Sequence, residues 1–350
     1  MDFTIASILT LDGVTNGAIY ALMALATVLV FAVTRVIFIP QGEFVAFGAL
    51  TLAMLQAGQT PGTVWFLLVM TAIAASSLVA QGLGGGAGGG ALRGPRLVQE
   101  LVRLCAYPLV ISAVAVWAAP QKFPLLVQAA LTLALVTPLG GLLYRVADER
   151  LADATVLVLL IVSVGVHFAL VGLGLFFFGA EGFRNPSFWD ERFNVGPLTI
   201  SGQAVIVILV SLVLIVGLWF LFERTLLGKS LRATAVNRVG ARLMGISSTG
   251  AGRTAFTMAA FIGALSGLLI GPTTTVFYDT GFLIGLKGFV AAVFGGLASY
   301  PLALVGAVGV GLIEAFGSFW ASAFKEVIVF CSILPVLLWR SMTDPHGEEH

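Results

Sequence analysis

The sequence predicts an all-α polytopic membrane protein, and three observations lead to this class. First, 59% of the 350 residues are hydrophobic and only 10% are charged, whereas about a quarter of a soluble domain is charged. Second, long apolar runs follow one another with only short polar breaks. Third, lysine and arginine return in alternate breaks. A bilayer accommodates this much apolar surface, and a single soluble core does not.

The apolar runs give the predicted spans one by one. They lie near 14–34, 43–57, 62–80, 104–119, 124–143, 154–178, 200–222, 254–271, 284–298, 302–318 and 326–340. A helix that crosses a bilayer needs about 20 residues, so 43–57 and 284–298 are candidates for half-helices that turn back. We predict about ten transmembrane helices with short interrupted segments, in a single transmembrane domain over residues 1–342.

The basic residues orient these spans, because lysine and arginine concentrate in short cytoplasmic loops. They occur at Arg35, in 93–103, in 145–150, in 224–253 and at Arg340. These breaks alternate along the chain, so all of them can face the cytoplasm together. The C-terminus is then predicted to be cytoplasmic. The longest of the other loops, 179–199, is predicted to be extracytoplasmic.

Two segments lie outside the helical pattern. Residues 82–103 begin with the run GLGGGAGGGALRGP and read as a glycine-rich linker followed by a basic cytoplasmic loop. A phosphate-binding loop needs a lysine and a serine or threonine after its glycines, and this run has neither. Residues 343–350, TDPHGEEH, are polar and are predicted to be a disordered tail.

The most basic loop contains a helical pattern. Residues 231–245 have no proline and several alanines, which predicts a short cytosolic helix. Asn237, Ala241 and Gly245 are spaced by four and would share one face of it. Small residues on one face allow another surface to come close, so this helix is a candidate docking element. The alternative from spacing alone is a basic helix that rests on anionic lipid headgroups.

Two short segments are interrupted in a way that suggests a solute pathway. A Pro-Gln-Gly break precedes the first, with Gln41, Gly42 and Glu43 at the turn, and glycines break the second, 278–301. Paired interruptions in two halves of a transporter point to a pathway near the membrane midplane. The alternative is that the glycines serve only close helix packing.

Polar residues inside apolar spans are the other pathway candidates. Lys287 and Glu314 are expensive to bury, so each needs a partner, and a hairpin would bring them to the same depth as an ion pair. Asn16 and Tyr20 share a helix face and would line a lumen or bond across helices. His167 is expected to be a hydrogen-bonded residue of the core or lumen rather than a catalyst.

The sequence offers no catalytic constellation. It contains no Ser-His-Asp grouping, no paired catalytic carboxylates, no cysteine and histidine cluster with ligand spacing, and no Walker motif. We therefore predict a transport protein that is not an enzyme, without a metal or cofactor of its own. If it moves solute actively, the energy comes from a partner.

Three stretches carry a family resemblance. They are LDGVTNGAIYALMALATVLVFAVTRVIFIPQGE (11–43), GKSLRATAVNRVGARLMGIS (228–247) and GFLIGLKGFVAAVFGGLASYPLALVGAVGVGLIEAFGS (281–318). Together they resemble the N-terminal helix and Gly-Glu turn, the cytoplasmic coupling segment and the C-terminal signature of the permease subunits of ABC-type branched-chain amino acid importers. This resemblance covers about a third of the chain, and between these stretches hydropathy mainly carries it.

The resemblance implies partners and assigns roles. It implies two cytosolic ABC ATPase subunits that use ATP and Mg²⁺, a second permease subunit, identical or homologous, and an extracytoplasmic substrate-binding protein. The setting would be a bacterial inner membrane with its lipid, without nucleic acid. The family's coupling segment docks into a cleft on the ATPase. The positions here that match it or lie beside it are Arg232, Asn237, Arg238, Ala241, Gly245 and Ile246.

The sequence departs from the family pattern in two places, which keeps other solutes open. The first turn of the family usually reads Ala-His-Gly-Glu, and here it reads Pro-Gln-Gly-Glu over 40–43. Residues 82–122 are also expanded. The expected solute is a branched-chain or hydrophobic amino acid or a similar small organic molecule. The alternatives are a related permease for urea, short amides or aromatic acids, or an ATP-independent carrier or channel.

Overall fold

The computed structural model describes residues 3–83, 95–151, 154–195, 198–297 and 299–343. Within these ranges the chain forms fourteen α-helices and one antiparallel hairpin. The helices are α1 (Phe3–Thr34), α2 (Glu43–Gln56), α3 (Gly62–Leu83), α4 (Pro95–Ala118), α5 (Leu125–Leu143), α6 (Val156–Phe178), α7 (Gly202–Arg224), α8 (Leu226–Val236), α9 (Arg238–Leu243), α10 (Ser248–Ile270), α11 (Thr280–Phe294), α12 (Tyr300–Ala321), α13 (Lys325–Cys331) and α14 (Ile333–Thr343). The hairpin pairs β1 (Arg192–Val195) with β2 (Leu198–Ser201).

The architecture confirms an all-α polytopic membrane protein. Eight helical stretches in the described residues are long and apolar enough to cross a membrane, the last running from α12 into α14. The helices α2 and α11 have 14 and 15 residues, so they are the short segments that the sequence predicts. The predicted number of about ten therefore corresponds to eight long spans and two short helices.

The layering places α1 at the centre. It is largely buried and packs against α7, α10, α11 and α12. The helices α4, α6 and α7 form the periphery and expose large apolar side chains, among them Val110, Phe168, Phe176, Leu212 and Trp219. Exposed apolar surface on this scale is what lipid contact requires, and a water-facing protein would not tolerate it.

The first short helix, α2, begins inside the bundle. After α1 the chain turns back through a 3₁₀ turn, Ile39–Gly42. The Ile39 amide donates to Ser163 Oγ in α6 at 2.9 Å, and Gln41 Nε2 donates to the Ala259 carbonyl, midway along α10, at 2.9 Å. Side chains and neighbouring backbone thus satisfy the interrupted segment, as unwound chain at membrane depth requires.

Glycines join the two interrupted segments. A Cβ atom on Gly42 would overlap the Gly281 carbonyl at the start of α11, and a Cβ on Gly281 would overlap the Gly42 carbonyl. A Cβ on Gly285 would lie 2.8 Å from the Gly42 Cα atom. The two interpretations of these glycines, interrupted segments and close helix packing, are therefore compatible. The same residues lie where the helices are interrupted and allow the two segments to pack together. We call this contact the glycine crossing.

The predicted single helix over 231–245 is wrong. The chain forms α8 and α9 instead, with Asn237 between them in an extended conformation. The Asn237 Oδ1 atom accepts a hydrogen bond from the Gly240 amide at 2.8 Å. Asparagine is a favoured N-cap, because its side chain satisfies an amide that the first turn leaves open. It therefore starts a new helix here.

The predicted linker and loop over 82–103 is helical in both of its described parts. Helix α3 continues to Leu83 and α4 begins at Pro95, where the missing amide of proline costs no helical hydrogen bond. Glu100 and Arg103 form an ion pair one turn apart at 3.4 Å. Residues 84–94 lie outside the described part of the chain, and so does the predicted tail from 344 onwards, whereas Thr343 belongs to α14.

Candidate functional site: a buried charge cluster beside a polar cavity

Four side chains, each from a different helix, form a charge cluster. Lys287 Nζ lies 2.6 Å from Glu314 Oε1 and 3.1 Å from Glu326 Oε1. The Tyr20 hydroxyl donates to Glu314 Oε2. Lys287, Glu314 and Tyr20 are each more than nine-tenths buried. The pair predicted from the sequence is therefore present, and Tyr20 joins it.

Two carboxylates share one ammonium in this cluster. The Lys287 ammonium also lies 5.7 Å from the centroid of the Tyr20 ring, within the range of a cation–π contact. Removing one partner of a buried ion pair strands an uncompensated charge, which destabilises a protein by about 3–5 kcal/mol. Lys287 is the only cation in the cluster, so both acids depend on it.

The sequence prediction missed Glu326. It opens the last apolar segment and reads there as the polar end of a span. A 3₁₀ turn at Ser322–Phe324 interrupts the helical run after α12, and Glu326, just beyond this turn, contacts Lys287. One signal in the sequence could have indicated it. Glu326 is a third ionisable residue beside an apolar segment, close along the chain to two charges that need partners.

A polar cavity of about 660 Å³ adjoins the cluster. Glu314 and Asn16 line it, so these two predicted pathway residues meet the same space. Its wall comes from α1, α12, residues within 184–192 and 201–204, residues 272–273 and Lys325 at the start of α13. The volume falls in the range of small-molecule sites. It lies at the end of the bundle opposite to α8 and α9.

Charges of both signs line this cavity. Arg184 is held in place by the backbone, since its Nε donates to the Pro272 carbonyl at 3.0 Å and its Nη2 to the Thr273 carbonyl at 3.4 Å. Asp12 and Arg192 also line the cavity, and neither forms an ion pair with the described residues. The sequence prediction did not select these residues, because distant loops bring them together.

The predicted residues of the first turn lie elsewhere in the bundle. Glu43 is completely buried, and its Oε1 lies 3.0 Å from His167 Nδ1. The His167 ring packs on Phe282 of α11 at 4.6 Å between centroids. Gln41 bonds to α10, and Gly42 belongs to the glycine crossing. The residues predicted to line a pathway therefore lie in two separate places, the first turn and the charge cluster with its cavity. Of all these residues, only Asn16 and Glu314 line the cavity.

The α8–α9 surface differs from the predicted docking face. Ala241 is only 5% exposed and points into the chain, so Asn237, Ala241 and Gly245 do not form a common outer face. Gly245 ends α9 with a φ of 82°, a conformation that favours glycine. The Ile246 amide closes this end by donating to the Ala241 carbonyl at 2.9 Å.

Apolar side chains occupy the outside of this element instead. Val236, Val239, Leu243 and Met244 are between 68% and 83% exposed, and we call them the α9 patch. Two of the predicted basic residues lie on the same pair of helices. Arg232 pairs with Glu223 at 2.5 Å, and Arg238 is half-buried in α9.

Among the described residues, no group of three or more histidine, cysteine, aspartate or glutamate side chains is placed to hold a metal ion.

Comparisons with known proteins agree on one family. A family model described as branched-chain amino acid transport system / permease component matches residues 104–337. The high-affinity branched-chain amino acid transport system permease protein BraD of Pseudomonas aeruginosa is 28% identical over 229 residues, which are 63% of this chain and 75% of BraD. The permease protein LivH of Escherichia coli is 28% identical over 206 residues, 57% of this chain and 67% of LivH. No solved structure matches the chain.

Proposed function

This chain belongs to the family of permease components of branched-chain amino acid transport systems, and we propose that it is the membrane-spanning subunit of an ATP-driven ABC importer. ATP hydrolysis would take place in two separate cytosolic subunits. A second permease subunit and an extracytoplasmic substrate-binding protein would complete the assembly. In this arrangement α8, α9 and the C-terminus face the cytoplasm of a bacterial inner membrane, and the polar cavity faces outwards.

The α9 patch is the observation that carries this proposal. Four large apolar side chains stand exposed between the end of α8 and the residue that caps α9, in the most basic segment of the chain. A cluster of this kind on the water-facing end of a membrane protein marks a contact with another protein. The roles assigned above to Arg232, Asn237, Arg238, Ala241, Gly245 and Ile246 become supporting ones in this proposal. They shape and cap the helices that carry the patch.

We expect Leu243→Asp to separate this subunit from its ATPase. Leu243 is 83% exposed, so the substitution leaves the fold intact and places a charge in the contact. The measurement is ATP hydrolysis by the complex purified through a tag on this chain from its native membranes. Desolvating an unpaired carboxylate lowers affinity on the order of tenfold or more.

Leu243→Met is the matched control, since it keeps an apolar side chain at the same place. It should retain the hydrolysis that Leu243→Asp loses. If both variants, like the parent chain, purify without any ATPase activity, the ATP-independent carrier or channel is correct instead. If Leu243→Asp retains full activity, the α9 patch is not the contact.

For the solute, we propose a zwitterionic amino acid with an apolar side chain. The two relatives carry branched-chain amino acids in their names. The cavity supports the choice, because it offers carboxylates at Asp12 and Glu314 and a guanidinium at Arg184 within one space of suitable size. Urea and short amides carry no net charges for these groups to pair with, so the charged lining favours an amino acid over them.

We expect Asp12→Asn to slow the uptake of leucine by ten- to a hundredfold, because it removes a charged partner of the α-ammonium group. Uptake is measured in proteoliposomes that contain the complete transporter. Glu191→Gln is the control, since this exposed acid lies on the same side and does not line the cavity. Equal uptake in Asp12→Asn and Glu191→Gln would remove Asp12 from the pathway.

A further inference from the structure

A second, apolar groove opens at the other end of the bundle. It lies between α1, α7 and α12 and has a volume of about 510 Å³. Leu25, Leu29, Ile215, Trp219 and Leu304 line it, and the Arg232–Glu223 pair stands at its mouth. Neither the polar cavity nor the charge cluster contributes to this groove.

A neighbouring cleft of about 490 Å³ shares three residues with the groove. These are Phe222, Tyr300 and Arg232. The Phe222 and Tyr300 rings stack at 5.5 Å with an interplanar angle of 28°, so they form the wall between the two spaces. The cleft also contains Arg35. The result is a two-part apolar slot with a cationic rim.

The rim carries net positive charge. Arg232 and Arg35 contribute two cations, and Glu223 contributes one anion. Arg35 is exposed and makes no ion pair with the described residues. Its φ is 62°, a left-handed conformation that a residue with a side chain seldom adopts. This conformation ends α1, since Arg35 directly follows Thr34, and it fixes the position of the cation at the rim.

The groove opens towards lipid. The outer face of α7 beside it exposes Leu212, Val216 and Trp219. Trp219 lies one turn and a half from the end of α7 at Arg224, which is the depth at which tryptophan marks the boundary between acyl chains and headgroups. The slot therefore runs from acyl depth at Ile215 to headgroup depth at the rim.

We propose that this slot binds an anionic phospholipid of the cytoplasmic leaflet. The phosphate lies on Arg35 and Arg232, and an acyl chain fills the groove against Leu25 and Trp219. Basic pockets between transmembrane helices on the cytoplasmic side have the chemistry that anionic headgroups require. The lipid then touches α8 through Arg232, so it holds α8 against α7. This assignment uses the fold and sidedness of the chain and is independent of the solute.

Native mass spectrometry of the purified full-length chain, with the subunits that accompany it, tests the proposal. After removal of co-purified lipid, phosphatidylglycerol and phosphatidylcholine are added separately. We expect phosphatidylglycerol to be retained more strongly, and Arg35→Gln with Arg232→Gln to weaken its retention on the order of thirtyfold. The double variant Arg224→Gln with Lys229→Gln is the control. It removes two cations at the same end that do not line the slot.

Position is read separately with phosphatidylglycerol that carries a photoreactive acyl chain. We expect it to label a peptide that contains residues 215–222. Equal retention of the two lipids, or equal loss in the two double variants, would overturn the proposal. So would a disulfide between two copies of the chain at Trp219→Cys, in a background without Cys105 and Cys331. In that case a second copy fills the groove.

Discussion

Replacing Lys287 with methionine should destabilise this protein more than any other single substitution in the charge cluster. The change leaves the buried Glu314 and the partly exposed Glu326 without their common cation. We expect a loss of about 3–5 kcal/mol in the free energy of unfolding. Thermal unfolding of the purified protein in detergent measures the loss, with the parent chain as reference.

The acids provide the controls. Glu314→Gln should cost less than Lys287→Met, because Lys287 keeps Glu326 at 3.1 Å. The double variant Lys287→Met, Glu314→Gln should recover part of the loss, and addition of Glu326→Gln should recover more, since no lone charge then remains. A triple variant that is no more stable than Lys287→Met would show that the three residues do not act as one cluster.

Gly281→Val should prevent the two short helices from meeting. Any Cβ atom at this position overlaps the Gly42 carbonyl, and the overlapping atom is backbone that cannot rotate away. Overpacking a well-packed interior costs about 1–3 kcal/mol or more. We expect little folded protein in the membrane, measured as the monodisperse fraction in size-exclusion chromatography, and no uptake from what remains.

Gly172→Val is the matched control in α6. It makes the same replacement inside a helix, and a Cβ atom at Gly172 meets nothing within 4 Å. This variant should fold and transport like the parent chain. If Gly281→Val behaves like Gly172→Val, the backbones do not approach as closely as the glycine crossing requires.

The membrane class and the short helices could be predicted because hydropathy and length report them directly. The Lys287–Glu314 pair could be predicted for a related reason. A buried charge needs a partner of opposite charge. In the predicted helical hairpin of 284–298 and 302–318, Lys287 and Glu314 are each other's nearest candidate. Glu326 could not be placed in the same way. Its position depends on the 3₁₀ turn after α12, and local sequence does not fix the direction of the chain beyond such a turn.

The α8–α9 segment shows where spacing misleads. The four-residue period of Asn237, Ala241 and Gly245 predicts a shared face only if one helix runs through all three. Asn237 prevents such a continuous helix, because an asparagine side chain caps a helix more readily than it continues one. The polar cavity was out of reach for another reason. Its lining comes from distant residues such as Asp12 and Glu314, at opposite ends of the sequence, with no local pattern to connect them.

The glycine crossing has an electrostatic consequence. Both short helices begin there, so the positive ends of two helix dipoles, each roughly half an elementary charge, converge in the interior of the bundle. Each end has its own acid, since Glu43 stands in the first turn of α2 and Asp279 is the N-cap residue of α11. Asp279 is exposed, whereas Glu43 is completely buried, so the converging dipoles offset part of the desolvation cost of Glu43. A completely buried glutamate can therefore persist beside a single histidine, where an isolated carboxylate in hydrocarbon could not.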